Sequence, residues 1–371
     1  MKMKKIYHLL LLLCCVMICS CNKQEQLSFS PMAYADLLRI HEGSGWTGVE
    51  VINAWKKDQI AQRYILVPRN ADIPDDIPEG TLIRTPLQRA ILFSAVHGAL
   101  CLDLGCISQV AGMCDTEYIL NDSLQQRIKN GEIANMGSSM QADAERMAAA
   151  RPDAFFVSPF ENAGYGVLST LGIPLIECAD YMETSALGRA EWMKFYGLLM
   201  GCEAKADSLF AAVEKDYLQL SKQMEDIKDK PTLLCDLKQG SAWYVPGSNS
   251  YIGQLFADAG AQYIFADNQQ NGSVAMSFEN VYAKGHNADL WVIKYGRDIP
   301  YTYTTLAEDY PLNRQFAAWK NRKIYGCNTF HSLFYEEVPF HPNRLLRDII
   351  KICHPEALPH YVPTYYRPLS E

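Results

Sequence analysis

What the chain lacks narrows it first. Its 371 residues hold no G-x-S-x-G, no H-E-x-x-H, no P-loop, and no G-x-G-x-x-G running from a strand into a helix. The nucleophile elbow, the zinc-protease helix and the phosphate-cradling turn are thus missing. Asp/Glu pairs occur as in any acidic protein, none singled out by spacing, so no catalytic residue and no cofactor is expected. Beyond residue 21 the cysteines are Cys101, Cys106, Cys114, Cys178, Cys202, Cys235, Cys327 and Cys353, without C-x-x-C or metal-finger spacing. They read as buried small hydrophobes. With 34 basic against 42 acidic residues and no Lys/Arg cluster, nucleic acid is a poor partner. After residue 20 no run is long and apolar enough to cross a membrane.

The N-terminus supplies what the rest omits. Lys2, Lys4 and Lys5 precede an apolar run over residues 6–18, which has the length of a signal-peptide core and not of a transmembrane span. It ends in Ile18-Cys19-Ser20-Cys21 before a polar stretch, a pattern that resembles a bacterial lipobox. Residues 1–20 are therefore expected to be a signal peptide, Cys21 the lipidated residue, and 21–27 a tether holding an exported protein to a membrane. Removing the three lysines takes the formal charge from −8 to −11.

The mature chain reads as α/β. Residues 28–85 alternate polar and apolar pieces, with strands at Gly48 to Ile52 and Arg63 to Val67 and a loop over 73–80, a small β extension. From 86 the grammar becomes strand, helix, strand: Arg89 to Phe93, a helix from Ser94 to near Gly105, Gln109 to Met113, and a helix over 142–150. Ala154 to Val157 follows, then a helix to Leu171-Gly172 and a strand at Ile173 to Ile176. This is the order of a parallel sheet covered on both faces. Ala206, Leu209, Val213, Tyr217, Leu220, Met224 and Ile227 then recur at three- and four-residue intervals, one stripe of a long helix stopped by Pro231. Beyond it the pattern returns, and Glu279 to Ile293 loosely repeats Glu145 to Val157. The expected architecture is two Rossmann-like lobes, 86–183 and 231–371, joined through a single long rigid helix within 184–230.

Several segments together resemble the iron-siderophore/cobalamin class of periplasmic binding proteins. They are Phe93-Ser94-Ala95-Val96-His97, Arg151-Pro152-Asp153, the run from Tyr181 to Trp192, and Pro246-Gly247-Ser248-Asn249-Ser250-Tyr251. Phe278-Glu279 and the tail from His354-Pro355-Glu356 to Tyr365-Tyr366 complete the set. The resemblance implies a receptor that captures a small-molecule chelate, such as a ferric siderophore, cobalamin or haem, for an ABC permease and its ATPase. It further implies one acidic docking residue per lobe, Glu161 in the first and Glu308 in the second, with Asp309, Glu336 and Glu337 as rivals for the latter.

In open α/β sheets ligands gather at the carboxyl ends of strands. That rule selects Ser94, His97, Phe160 and Tyr165 in the first lobe and Trp243, Tyr244, Ser250 and Tyr251 in the second. The aromatics suit a flat or conjugated ligand, and helix starts at Ser94 and Ser250 would favour its acidic groups. His97 could instead ligate a metal. Three other readings stay open: a surface lipoprotein handing ligand to another binder, a bare-metal receptor, and an exported α/β hydrolase.

Overall fold

A computed structural model describes residues 29–56 and 58–371. The expected signal peptide, tether and lipidation site Cys21 lie outside the described residues. Five strands come first: β1 (Ser30–Pro31), β2 (Leu38–Glu42), β3 (Thr47–Ile52), β4 (Ile60–Pro68) and β5 (Thr81–Thr85). They form one sheet in chain order, antiparallel until β5 joins β4 in parallel.

This sheet is bolted to the first lobe by buried polar contacts. The Glu191 carboxylate accepts the N–H groups of Tyr34 and Ala35 at 2.8 and 3.0 Å, and Glu183 accepts those of Asp36 and Leu37 at 3.0 Å. Tyr64 is fully buried; its hydroxyl donates to the Leu175 carbonyl at 2.9 Å and accepts from the Glu177 N–H at 2.8 Å. These two bonds occupy the outer edge of the strand they reach, an edge that would otherwise expose pairing groups.

The first lobe holds β6 (Ala90–Leu92), β7 (Val110–Met113), β8 (Ala134–Asn135), β9 (Ala154–Val157) and β10 (Leu175–Glu177). All are parallel, in the order β10-β9-β6-β7-β8. Every residue of β6 and β9 is buried, as expected where helices cover both faces. The helices are α1 (Ala95–Leu104), α2 (Asp122–Lys129) and α3 (Ala144–Ala149). The helix expected to run to Leu171-Gly172 shrinks to a 3-10 turn at Gly166–Thr170. Asn162 and Gly166 both take positive φ, 56° and 53°, which breaks regular helix before it can start.

Two short helices, α4 (Ala186–Glu191) and α5 (Met193–Met200), lead to the long α6 (Glu203–Glu225). At 23 residues α6 spans about 34 Å. Ala206, Phe210, Val213, Tyr217, Leu220 and Met224 are its buried stripe. Phe210 takes the core position expected for Leu209, one residue along.

The second lobe follows with β11 (Thr232–Cys235), β12 (Lys238–Gln239), β13 (Ala242–Pro246), α7 (Tyr251–Asp258), β14 (Gln262–Tyr263), β15 (Ser273–Met276) and α8 (Phe278–Gly285). It ends with β16 (Leu290–Tyr295), α9 (Tyr303–Asp309), α10 (Ala317–Lys320), β17 (Ile324–Asn328), α11 (Phe334–Glu337), α12 (Pro342–Cys353) and β18 (Arg367–Pro368). The main sheet has the order β14-β11-β16-β17-β18, parallel except for β18; β12, β13 and β15 form a small antiparallel sheet beside it. Helix α12 lies against α6, where Asp216 accepts from Asn343 at 2.7 Å and pairs with Arg347.

The long helix is not the sole link between lobes. The Leu120 N–H, after β7, donates to Glu336 at 2.6 Å, and His341 meets Asp103 at 2.8 Å. Phe340 packs against both His97 and Tyr196, and Arg189 lies over the Tyr251 ring at 5.2 Å. Among the described residues no helix is long and apolar enough to cross a membrane.

Candidate ligand-binding site

Strand order places the site. In the first lobe the chain leaves β6 for β7 and β8 on one side, then returns to β9 and β10 on the other. The loops after β6 and β9 therefore diverge, which opens a crevice at their carboxyl ends. A cavity of about 450 Å³ occupies it, lined by Phe93, Met140, Val157, Phe160, Tyr165 and Leu168 among others. Its volume lies within the usual range for small-molecule sites. Phe160 is 57% and Met140 82% exposed, apolar area kept in water.

The second lobe has its own switch point, between β11 and β16. There Asp236, just past β11, pairs with Lys294 on β16 at 2.8 Å, both side chains about one-fifth exposed. Burial would push the Lys294 ammonium pKa down, but the Asp236 carboxylate outweighs it and holds Lys294 charged. Tyr335, 60% exposed, stands close enough to feel Lys294, Asp236 and Tyr251. Because Leu120 and Glu336 both follow strand carboxyl ends and touch, these ends of the two sheets face one another.

The structure sorts the eight expected contact residues. Phe160 and Tyr165 line the first-lobe cavity; Ser94, one residue past the lining Phe93, stands half-buried at the start of α1, its side chain making no cap bond. Tyr251 is half-buried under Arg189, and Tyr244 is half-exposed on β13.

Three of the eight need correction. Trp243 is fully buried: alternation along β13 turns it inward, where it stacks on Trp291 at 5.7 Å and donates its indole N–H to the Cys235 carbonyl at 3.0 Å. Ser250 is also buried, its hydroxyl donating to the Gly247 carbonyl at 2.7 Å and accepting the Gly253 N–H at 3.1 Å, which caps α7.

His97 has no exposed face either. Its Nε2 pairs with Asp180 at 3.2 Å, beside Tyr196, whose hydroxyl donates to the same carboxylate at 2.9 Å, and Arg189 at 3.3 Å. Burial opposes the His97 charge, yet Cys178 and Asp180 raise the imidazole to about 10. With the ring buried and its Nε2 held on Asp180, His97 is a core residue and not part of the cavity wall. Among the described residues no group of three or more His, Cys, Asp or Glu side chains could hold a metal ion.

The sequence reading missed Met140, Tyr335 and the Asp236–Lys294 pair. A Cys-Asp pair follows β7 as well as β11, and both aspartates sit at positive φ, 52° for Asp115 and 59° for Asp236, but the two strands hold different places in their sheets, so the sequence alone did not single out Asp236. Glu161 and Glu308 are both solvent-exposed, on the loop after β9 and on α9.

Two parallel-sheet lobes whose strand ends face each other, bridged by a long helix, define a two-lobed binding protein. The profile described as "Periplasmic binding protein" matches residues 102–329, and the chain belongs to that family. It is 26% identical over 317 residues to a protein of Methanocaldococcus jannaschii named an uncharacterised lipoprotein, covering 81% of this chain and 74% of that one. A periplasmic haem-binding protein from Pseudomonas aeruginosa superposes with a TM-score of 0.59 at 18% identity, over 77% of this chain and 99% of that one. The periplasmic vitamin B12-binding protein of Vibrio cholerae gives 0.54 at 12% identity, over 72% and 96%. The shared fold is thus nearly complete in those neighbours.

Proposed function

We propose that this chain is the lipid-anchored substrate-binding component of an ABC importer and that its cargo is a metal chelate: a ferric siderophore, cobalamin or haem. The observation that supports this best is the apolar, aromatic cavity at the first-lobe switch point, facing the Tyr335 and Asp236–Lys294 surface of the second lobe. Arg189 and Lys294 are already paired, so the walls offer flat contact area and hydrogen bonding more than free positive charge. That chemistry suits a bulky chelate held by its organic shell. The reaction is capture and release without turnover, the permease and ATPase supplying the work. Anchoring at Cys21 and docking through Glu161 and Glu308 belong to the same reading; the lipoprotein naming of relatives supports the anchor.

The test is intrinsic tryptophan fluorescence of the purified protein titrated with cobalamin, haem and ferric siderophores. Saturable one-to-one quenching by one of them, weakened in Phe160→Ala, is the expected result. No saturable response to any of the three counts against a chelate cargo. Binding that persists while Glu161→Lys and Glu308→Lys leave uptake unchanged would favour a lipoprotein that hands its ligand to another binder.

A further inference from the structure

The loop after β8 is built as a pedestal. Asn135, the last residue of β8, accepts the Gly137 N–H on its side-chain oxygen at 2.8 Å. Gly137 takes a φ of 80°, which turns the chain back, and its carbonyl accepts the Asp115 N–H at 2.8 Å. Asp115 also grips the next turn: its carboxylate accepts the Ser139 N–H at 3.0 Å and the Ser139 hydroxyl. Two local bonds close the tip. The Met140 N–H donates to the Ser138 hydroxyl at 3.2 Å, and the Gln141 N–H to the Ser138 carbonyl at 3.3 Å.

Asp115 follows β7, the strand that pairs with β8. Its φ of 52° is in the left-handed region, and it precedes a 3-10 turn at Thr116–Tyr118 without giving that turn a side-chain cap. The carboxylate is committed to Ser139 instead. A non-glycine residue in that backbone region persists where surrounding contacts hold it, here those to the 137–139 turn.

The tip of this pedestal carries a thioether into water. Met140 lines the first-lobe cavity while 82% exposed, and among the described residues it is the one exposed methionine. Phe160, also exposed, lines the same cavity from the loop after β9, and β8 and β9 lie on either side of β6. No charged side chain lines the cavity; its polar ones are Ser139, Ser158 and Tyr165. An unbranched, polarisable thioether adapts to an irregular apolar surface, whereas the aromatic ring opposite offers a fixed one.

We propose that Met140 is a ligand-contacting residue, which closes with Phe160 over an apolar face of the captured molecule, and that Asp115 is the residue that positions it. This rests on the reading of the first-lobe crevice as the ligand site. A wall without charge selects by apolar area, so the part of the ligand seated there is uncharged organic shell.

The experiment is methionine footprinting of the full chain in detergent, with anilinonaphthalene sulfonate as an apolar probe. Hydrogen peroxide transfers one oxygen atom to the thioether sulfur, two electrons pass from sulfur to the peroxide, and water leaves. Peptide mapping reads Met140 by itself, so dye taken up by detergent does not enter the result. With dye at about ten times its dissociation constant, about one-tenth of the sites stay free, and Met140 oxidation should slow about tenfold. Met276, half-buried on β15 of the second lobe, should oxidise at an unchanged rate.

Met140→Leu should hold the dye within about twofold of the unaltered protein, and Met140→Gln about fivefold more weakly. Asp115→Ala should lose the protection, and Asp115→Asn, which still accepts the Ser139 N–H, should restore it. Dye that leaves Met140 oxidation unchanged overturns the proposal, on the unaltered protein and with no variant needed. Cobalamin, ferrichrome and zinc protoporphyrin (a redox-inert stand-in for haem) are footprinted alongside. If none of them saturates the protein while the dye protects Met140, the chelate reading falls and the assignment of Met140 stands. A chelate that saturates the protein yet leaves Met140 open to peroxide overturns the assignment alone.

Discussion

Phe160 projects into the first-lobe cavity from a loop, so truncating it removes contact area without opening the core. Phe160→Ala should weaken chelate binding about tenfold, an effect of about 1–2 kcal/mol, and leave the thermal midpoint nearly unchanged. Trp243 should behave in the opposite way. Its ring is walled by Trp291, Phe278 and Phe316, and Trp243→Ala should cost about 3–5 kcal/mol in urea unfolding through the cavity it leaves.

Glu183 makes a pH prediction. Burial raises its carboxyl to about 7 from 4.5, although Trp192 and the Leu37 and Asp36 N–H groups pull the other way. Folded protein therefore keeps a proton there that unfolded chain has lost. Stability from this group is full below about pH 4.5, declines as pH rises, and is gone above about pH 7. The swing is about 3 kcal/mol, and Glu183→Gln, which resembles the protonated form, should flatten the unfolding profile over that window.

At the scale of elements, the N-terminal sheet behaves as a brace. It completes the edge of β10, ties residues 33–37 to Glu183 and Glu191, and reaches α6 through the Tyr34 hydroxyl, which donates to Glu214 at 2.7 Å. Glu191→Ala would leave buried N–H groups without an acceptor, each costing about 1–3 kcal/mol. The expected result is faster amide hydrogen exchange across β1 and β2, while α12 keeps its protection. Uniform acceleration through both lobes would instead show the brace to be inseparable from global folding.

At the scale of the molecule, α6 and the seam through Glu336, His341 and Phe340 act together. A continuous helix resists bending, and the seam adds direct polar and aromatic contacts between lobes, so large hinge closure on ligand binding is disfavoured. Small-angle scattering should give radii of gyration for the free and ligand-saturated protein that differ by less than about 1 Å, well below what hinge closure of domains brings. Docking belongs to this scale too: under the proposed function, Glu161→Lys should lower uptake while leaving ligand affinity unchanged, because the side chain is solvent-exposed on the loop after β9.

The elements were legible from the sequence because each obeys a local rule. The α6 stripe repeats at three and four residues, β6 and β9 are short all-apolar runs, and Ser250 marks a helix start, whereas α6 ends at Glu225, short of Ile227 and of the stop expected at Pro231. The two-lobe architecture followed from the order of those elements. Which side chains face a ligand was another matter. Trp243 and Tyr244 are neighbours in sequence, and only the pairing of β13 with β15 decides that the first enters the core and the second faces water. His97 looked available after its strand until Asp180, more than eighty residues away, claimed it. Local periodicity is written in adjacent residues and can be read one segment at a time. The cavity and the Asp236–Lys294 pair join residues far apart in the chain, and only the packing of the folded protein brings them together.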